Sequence, residues 1–121
     1  MAVKGRVAKV PSAELALYEK LIATNPRVER KGDRMPYTSL NGHMFSFLSE
    51  SGSLAIRLPL PEREEFLRKY KTTLFRAQGT VLKEYVTVPP ELLRRTAELK
   101  KSFAASYKYV RALKPKARKG S

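Results

Sequence analysis

The spacing of apolar residues changes along the chain, and each change marks an element. Leu15, Tyr18, Leu21 and Ile22 recur at helical spacing and give one apolar face to a helix expected over Ala13–Ala23. Ser12 is placed to cap its start, and Asn25-Pro26 stops it. A period of two follows. The turn signals Gly32-Asp33, Asn41-Gly42 and Ser51-Gly52 fall about ten residues apart, as in a meander of strands. Asn41-Gly42 is the strongest, because a type I′ turn needs positive φ at both central residues. It pairs Met35–Leu40 with His43–Ser49. Phe45 and Phe47 stand two apart, so they are expected on one strand face and in one core. Leu54, Ile56 and Leu58 alternate with Ala55 and Arg57, which predicts a half-buried strand with one wet face.

Pro59 and Pro61 close this section, and Pro61 suits the first turn of a helix running to about Lys71. Glu62, Glu64 and Glu65 come early in it and Arg68, Lys69 and Lys71 late, which matches the helix dipole. Phe66, Leu67 and Tyr70 form its buried side. Thr73–Ala77 and Val81–Val88 read as two short strands around Gln78-Gly79. Pro89-Pro90 opens a last helix, Glu91 to about Leu113, with Leu92, Leu99, Phe103, Val110 and Leu113 as its apolar stripe, helped by Tyr107. Pro115 ends it. Helix, meander, helix, two strands and helix together predict a two-layer α+β domain, an antiparallel sheet with helices packed on one face. Residues 1–11 read as a basic disordered lead, 12–113 as the domain and 114–121 as a basic tail.

Charge sharpens this picture at one place. The chain carries a net charge of +14. Arg94, Arg95, Lys100, Lys101, Lys108, Arg111, Lys114, Lys116, Arg118 and Lys119 set ten cations against one acid, Glu98, in the last stretch, hence +9 there. On a continuous helix Arg94, Lys101 and Lys108 nearly superpose, pointing away from the apolar stripe. A merely solvated face mixes signs, as Glu62–Lys71 does, so this excess points to a polyanion: nucleic acid or an acidic protein. A second zone, Phe66–Lys83, has five basic residues and no acid. Tyr37, Tyr85, Tyr107 and Tyr109 are the aromatics available for base stacking, with Tyr109 the one expected outside.

Other chemistry finds little support in the sequence. No cysteine is present, so disulfides, thiolate metal sites and thiol nucleophiles are excluded. His43 is the single histidine; Ser46, Ser49, Ser51 and Ser53 follow it without a Gly-x-Ser-x-Gly elbow or an obvious orienting acid. No Gly-rich phosphate loop occurs. Met1–Val10 lacks the apolar core of a secretory signal, and no run approaches the ~20 apolar residues of a membrane span. The expectation is a cytoplasmic, non-enzymatic chain with no metal or cofactor and no membrane partner, monomeric or homodimeric.

Leu40-Asn41-Gly42-His43-Met44, the Leu54–Leu58 strand, Gly79 leading into Lys83-Glu84-Tyr85-Val86-Thr87-Val88-Pro89, and the ending Ser106–Lys116 resemble the TfoX/Sxy N-terminal domain family. The resemblance covers about residues 13–116. It implies a fold close to type III secretion chaperones and YjbR-like proteins, a regulatory or adaptor role, and no catalytic residues or cofactor. Full-length competence regulators of that family carry a further C-terminal domain, for which 121 residues leave no room. Arg34-Met35-Pro36-Tyr37-Thr38 departs from the Met-Phe-Gly-Gly typical there. Met35-Pro36 with Asn41-Gly42 is also similar to frataxin-like iron chaperones, but one aspartate, Asp33, and glutamates offset by neighbouring cations leave no acidic ridge for iron. The alternatives to a polyanion-binding regulatory domain are a protein-interaction or homodimerisation domain without nucleic-acid binding, and an enzyme of unrecognised type built near His43.

Overall fold

One face of a five-stranded antiparallel sheet carries the helices, and the other carries none of those described. The structure is a computed structural model and describes residues 10–115. Its elements are α1 (Ser12–Ile22), β1 (Tyr37–Leu40), β2 (His43–Leu48), β3 (Leu54–Arg57), α2 (Leu60–Tyr70), β4 (Leu74–Ala77), β5 (Thr80–Val88), α3 (Pro90–Leu93) and α4 (Thr96–Ala112). The strand order is β1-β2-β3-β5-β4. The first three strands are the expected meander. α2 then carries the chain past β3, so β4 forms at the far edge and β5 returns between the two. This is the predicted two-layer α+β architecture.

The turn chemistry explains the hairpins. Asn41 and Gly42 have φ of 56° and 82°, and Leu40 pairs directly with His43 across them. That is a two-residue I′ loop, whose twist matches the strands. Gln78 and Gly79 repeat it at 52° and 81° between β4 and β5. α2 stops where Lys71 turns left-handed, at φ 52°.

The main core lies between helices and sheet. Tyr18, Leu21, Phe66, Leu99, Phe103 and Val110 come from the helices and meet Leu48, Leu54, Ile56 and Val86 of the strands. Phe47, Ala55 and Phe75 form a second cluster with Tyr37, Met44, Leu82 and Tyr85 packed against them, on the helix-free side.

Phe45 and Phe47 do not share a face. Thr38 pairs with Ser46 but Ser39 pairs with Met44, so Phe45 is an extra residue in β2. Such a bulge reverses the alternation of side chains. Phe45 enters the main core, 5.6 Å from the Phe103 ring, whereas Phe47 meets Phe75 at 5.0 Å in the second cluster. The wet face expected on β3 is also absent at Ala55. β3 is the central strand, and Leu54, Ala55 and Ile56 are all fully buried.

The last helix is two helices. Leu92 and Leu93 are adjacent, hence ~100° apart on a helix, yet both are buried. A turn at Arg94 and Arg95, the latter at φ −103° and ψ 72°, then separates α3 from α4. α4 then restarts the phase with Leu99, Phe103, Ser106 and Val110 inside. Leu113 lies past its end, in extended backbone.

At the N-terminal side, α1 begins at Ser12 itself. Its first turn is closed by Leu15 N–H donating to the Pro11 carbonyl at 3.0 Å, so Pro11 and not Ser12 holds the N-cap position. Val10, expected in a disordered lead, is buried in the main core. The rest of that lead, residues 1–9, lies outside the described residues, as do residues 116–121 of the expected tail.

Candidate polyanion-binding surface

α4 separates its residues by chemistry. Leu99, Phe103, Ser106 and Val110 face the core, where the Ser106 hydroxyl donates to the Phe45 carbonyl at 3.2 Å. Lys100, Lys101, Lys108 and Arg111 are exposed, interleaved with exposed Ala97 and Ala104. At 3.6 residues per turn these six fall within about a quarter of the helix circumference. Lys101 and Lys108 stand about 10.5 Å apart along the axis, and Lys100 and Arg111 about 16.5 Å.

Glu98, the single acid of α4, is turned sideways. Its Oε2 accepts from the Tyr70 hydroxyl at 2.6 Å, and its Oε1 lies 3.6 Å from Arg95. Tyr70's hydrogen bond and the Arg95 charge hold the Glu98 carboxyl below its ordinary range. Burial, then the hydrogen bond and charge of Glu98, push the Tyr70 phenol up to about 12. Glu98 is thereby occupied at the side of α4, and among the described residues no carboxylate of α4 shares the outer face with the cations. Among the described residues the ion pairs are Arg30–Glu19, Arg57–Glu84 and Arg95–Glu98. None involves Lys100, Lys101, Lys108 or Arg111.

The structure divides the predicted set. Those four cations stand together. Arg94 is exposed but lies between α3 and α4, so it does not continue the Lys101–Lys108 row. Arg95 is exposed at the start of α4 and engaged with Glu98. Lys114 is exposed beyond α4, and its carbonyl accepts from His43 Nε2 at 2.8 Å. Lys116, Arg118 and Lys119 lie outside the described residues. The second basic zone is dispersed over the end of α2 (Arg68, Lys69, Lys71), β4 (Arg76) and β5 (Lys83).

Tyr109 is not the outward aromatic expected. It is half-buried, donating to Glu84 Oε2 at 3.1 Å, with the Arg57 guanidinium 5.5 Å from its ring centre. The Tyr85 hydroxyl donates to the Met44 carbonyl at 2.6 Å, and Tyr107 packs edge-on against Phe45. The serines near His43 are held elsewhere. Ser46 is buried, 2.6 Å from both Tyr18 and Thr38 hydroxyls. Ser49, Ser51 and Ser53 bond one another in their turn. None of the four is hydrogen-bonded to the His43 ring among the described residues.

Among the described residues no three His, Asp or Glu groups gather as a metal cluster would, and no helix is long and apolar enough to cross a membrane. Sequence reasoning missed a groove between α2 and α4, lined by Phe66 and Tyr70 on one side and Ala97, Lys101 and Ala105 on the other. The signal available was small or polar residues every fourth position along that face of α4. Comparison with protein-family models, curated proteins and solved structures finds no match for the chain.

Proposed function

We propose that this chain is a non-enzymatic regulatory or adaptor domain of the TfoX N-terminal type, working in the cytoplasm, whose α4 outer face and basic tail contact a polyanion. The polyanion is a nucleic-acid backbone or an acidic protein. One observation carries this reading: Lys100, Lys101, Lys108 and Arg111 share an exposed helix face with no acid and no ion-pair partner among the described residues. Phosphate neutralisation needs cations at a surface and nothing more elaborate. The engagement of His43 with Lys114, and of Ser46 with Tyr18 and Thr38, supports the non-enzymatic part. The likeness to the TfoX family rests on hairpin and helix residues, which favours a role in binding over one in chemistry.

Labelled duplex DNA, duplex RNA and polyglutamate, titrated at low and at physiological salt, test it. Binding to at least one that weakens with salt is expected, with a loss when the four α4 cations are changed to Gln and a smaller loss on truncation after Leu113. Absence of binding to all three at low salt, or binding indifferent to the four substitutions, overturns it.

A second reading is a protein-interaction or homodimerisation domain. The helix-free sheet face favours it, since half-buried Tyr37, Met44, Leu82 and Tyr85 gather there over buried Phe47 and Phe75, with no helix covering them among the described residues. Mass in solution at low and high salt separates the two: a salt-resistant dimer supports this reading, and a monomer at all salts removes its homodimer form.

A further inference from the structure

The four exposed cations of α4 form a frame. Lys101 and Lys108 lie within about 20° of each other around the helix, and so do Lys100 and Arg111 on a second row. Exposed Ala97 and Ala104 run between the rows. Along the axis the cations gather at two ends. Lys100 and Lys101 make one pair, Lys108 and Arg111 the other, with midpoints nine residues, or about 13.5 Å, apart. Between the pairs, over residues 102–107, Ala104 alone is exposed.

The flanks of α4 differ in charge. On the α2 side the groove carries Glu62, Glu65 and Glu98. On the α1 side a depression sets Thr24, Asn25 and Pro26 beside Lys100 and Lys101, and no carboxylate lines it. An anionic strand crossing α4 at this end is therefore accommodated on the α1 side.

The frame discriminates among polyanions. Protein partners are anchored by large aromatic or apolar side chains. The exposed large hydrophobics among the described residues are Met35, Leu60 and Val81, none of them on α4. Single strands are held by bases stacked on aromatic rings. Tyr107 packs instead on Phe45, and Tyr109 is bonded to Glu84. Duplex DNA carries one charge per ~1.7 Å of axis. Extended polyglutamate reaches no more than one per ~3.3 Å. Width decides the mode of docking. The major groove of B-form DNA is about 12 Å wide and the minor about 6 Å, so the 13.5 Å between cation pairs fits the major groove.

We propose that α4 lies across the major groove of B-form DNA. Lys100 and Lys101 meet phosphates of one strand, and Lys108 and Arg111 those of the other. Ala104 faces the open groove between them and is too short to read bases, so binding is independent of sequence. This rests on the polyanion reading of α4 and names both its partner and its mode of docking.

The full chain, a variant with all four cations changed to Gln, and two variants with one pair changed are compared by fluorescence anisotropy across a salt series. The ligands are a mixed-sequence DNA duplex, one of its strands alone, and polyglutamate. All four positions are exposed, so the variants keep the fold, which circular dichroism verifies. Differences between variants cancel any contribution from the tail. On the duplex, changing all four should lower the magnitude of the logarithmic salt slope by about 3.6, and changing either pair by about 1.8. A single strand meets one pair at a time, so changing all four should cost about 1.4 there, against about 2.8 if one strand engaged the whole frame. Methyl green, a major-groove ligand, should displace the protein, and netropsin, a minor-groove ligand, should not. A single-strand loss near 2.8, clearly unequal pairs, displacement by netropsin alone, or tighter binding to polyglutamate overturns the bridging of the groove and leaves the polyanion reading standing. A four-Gln variant that binds every ligand as the unchanged chain does overturns both.

Discussion

The Tyr18 hydroxyl lies 2.6 Å from Ser46 Oγ, and both side chains are completely buried. Ser46 Oγ is equally close to Thr38 Oγ1, also buried. One small hydroxyl therefore ties α1 to β2 and β1 inside the main core. The members of this network are not equivalent. Tyr18→Phe removes one bond and leaves Ser46 with Thr38, a cost of about 1 kcal/mol. Ser46→Ala strands two buried hydroxyls and should cost about 2–4 kcal/mol. Urea denaturation of the two variants measures the difference. A larger loss in Tyr18→Phe would show that Ser46 is not the hub.

Gly32 and Gly79 both have positive φ, 85° and 81°, but their surroundings differ. A Cβ on Gly79 meets nothing within 4 Å. Gly79→Ala should thus lose only the left-handed backbone preference, about 1–2 kcal/mol. A Cβ on Gly32 falls 2.3 Å from the Met35 carbonyl oxygen and 2.9 Å from the Tyr37 ring. The backbone must move, and with it the two hydrogen bonds joining Lys31 to Tyr37 at 2.8 and 2.9 Å. Gly32→Ala is expected to lower the thermal midpoint clearly more than Gly79→Ala. Equal midpoints would mean that the Lys31–Tyr37 bridge holds nothing in place.

Glu84 sits between Arg57, at 2.6 Å, and the Tyr109 hydroxyl, at 3.1 Å. Burial opposes its ionisation, but the hydrogen bond and charge of Arg57, with the Tyr109 hydroxyl, outweigh it and hold the carboxyl below its ordinary 4.5. A depressed folded pKa stabilises the protein above the unfolded value, and that stabilisation is lost as pH falls through the folded one. Stability should therefore drop on acidification below about 4.5. Glu84→Gln is expected to be less stable at neutral pH and to show a flatter acid limb. Denaturant midpoints over a pH series test this, and parallel acid limbs would sever the link to Glu84.

Where local chemistry decides structure, the sequence was enough to read it. Asn41-Gly42 makes its hairpin because positive φ is cheap for Asn and Gly, Gly79 marks the turn between β4 and β5 for the same reason, and α2 follows its charge order and Pro61. Errors arose where tertiary packing overrides period. The bulge at Phe45 sends two phenylalanines to opposite faces, and nothing in the local alternation encodes an extra residue. Leu92 and Leu93 suit a continuous helix by propensity, and nothing in the local pattern encodes the turn at Arg94 and Arg95 that removes Arg94 from the α4 row. The basic character of α4 was legible because charge is a local property. The groove beside it was not, since it depends on how far apart two helices settle on the sheet.

The outer face of α4 makes a quantitative prediction on DNA. A protein that neutralises Z phosphates of B-form DNA loses affinity with salt at a logarithmic slope of about −0.9Z. Contacts by Lys100, Lys101, Lys108 and Arg111 alone give a slope of about −3.6. Lys108→Gln, on an exposed helix position with no ion-pair partner among the described residues, should reduce its magnitude by about 0.9. Arg95→Gln should change it less, because Arg95 already lies 3.6 Å from Glu98 and off the outer face. Fluorescence anisotropy across a salt series gives both slopes. An unchanged slope in Lys108→Gln, or a larger change in Arg95→Gln, would move the contact away from the α4 face and toward the turn that precedes it.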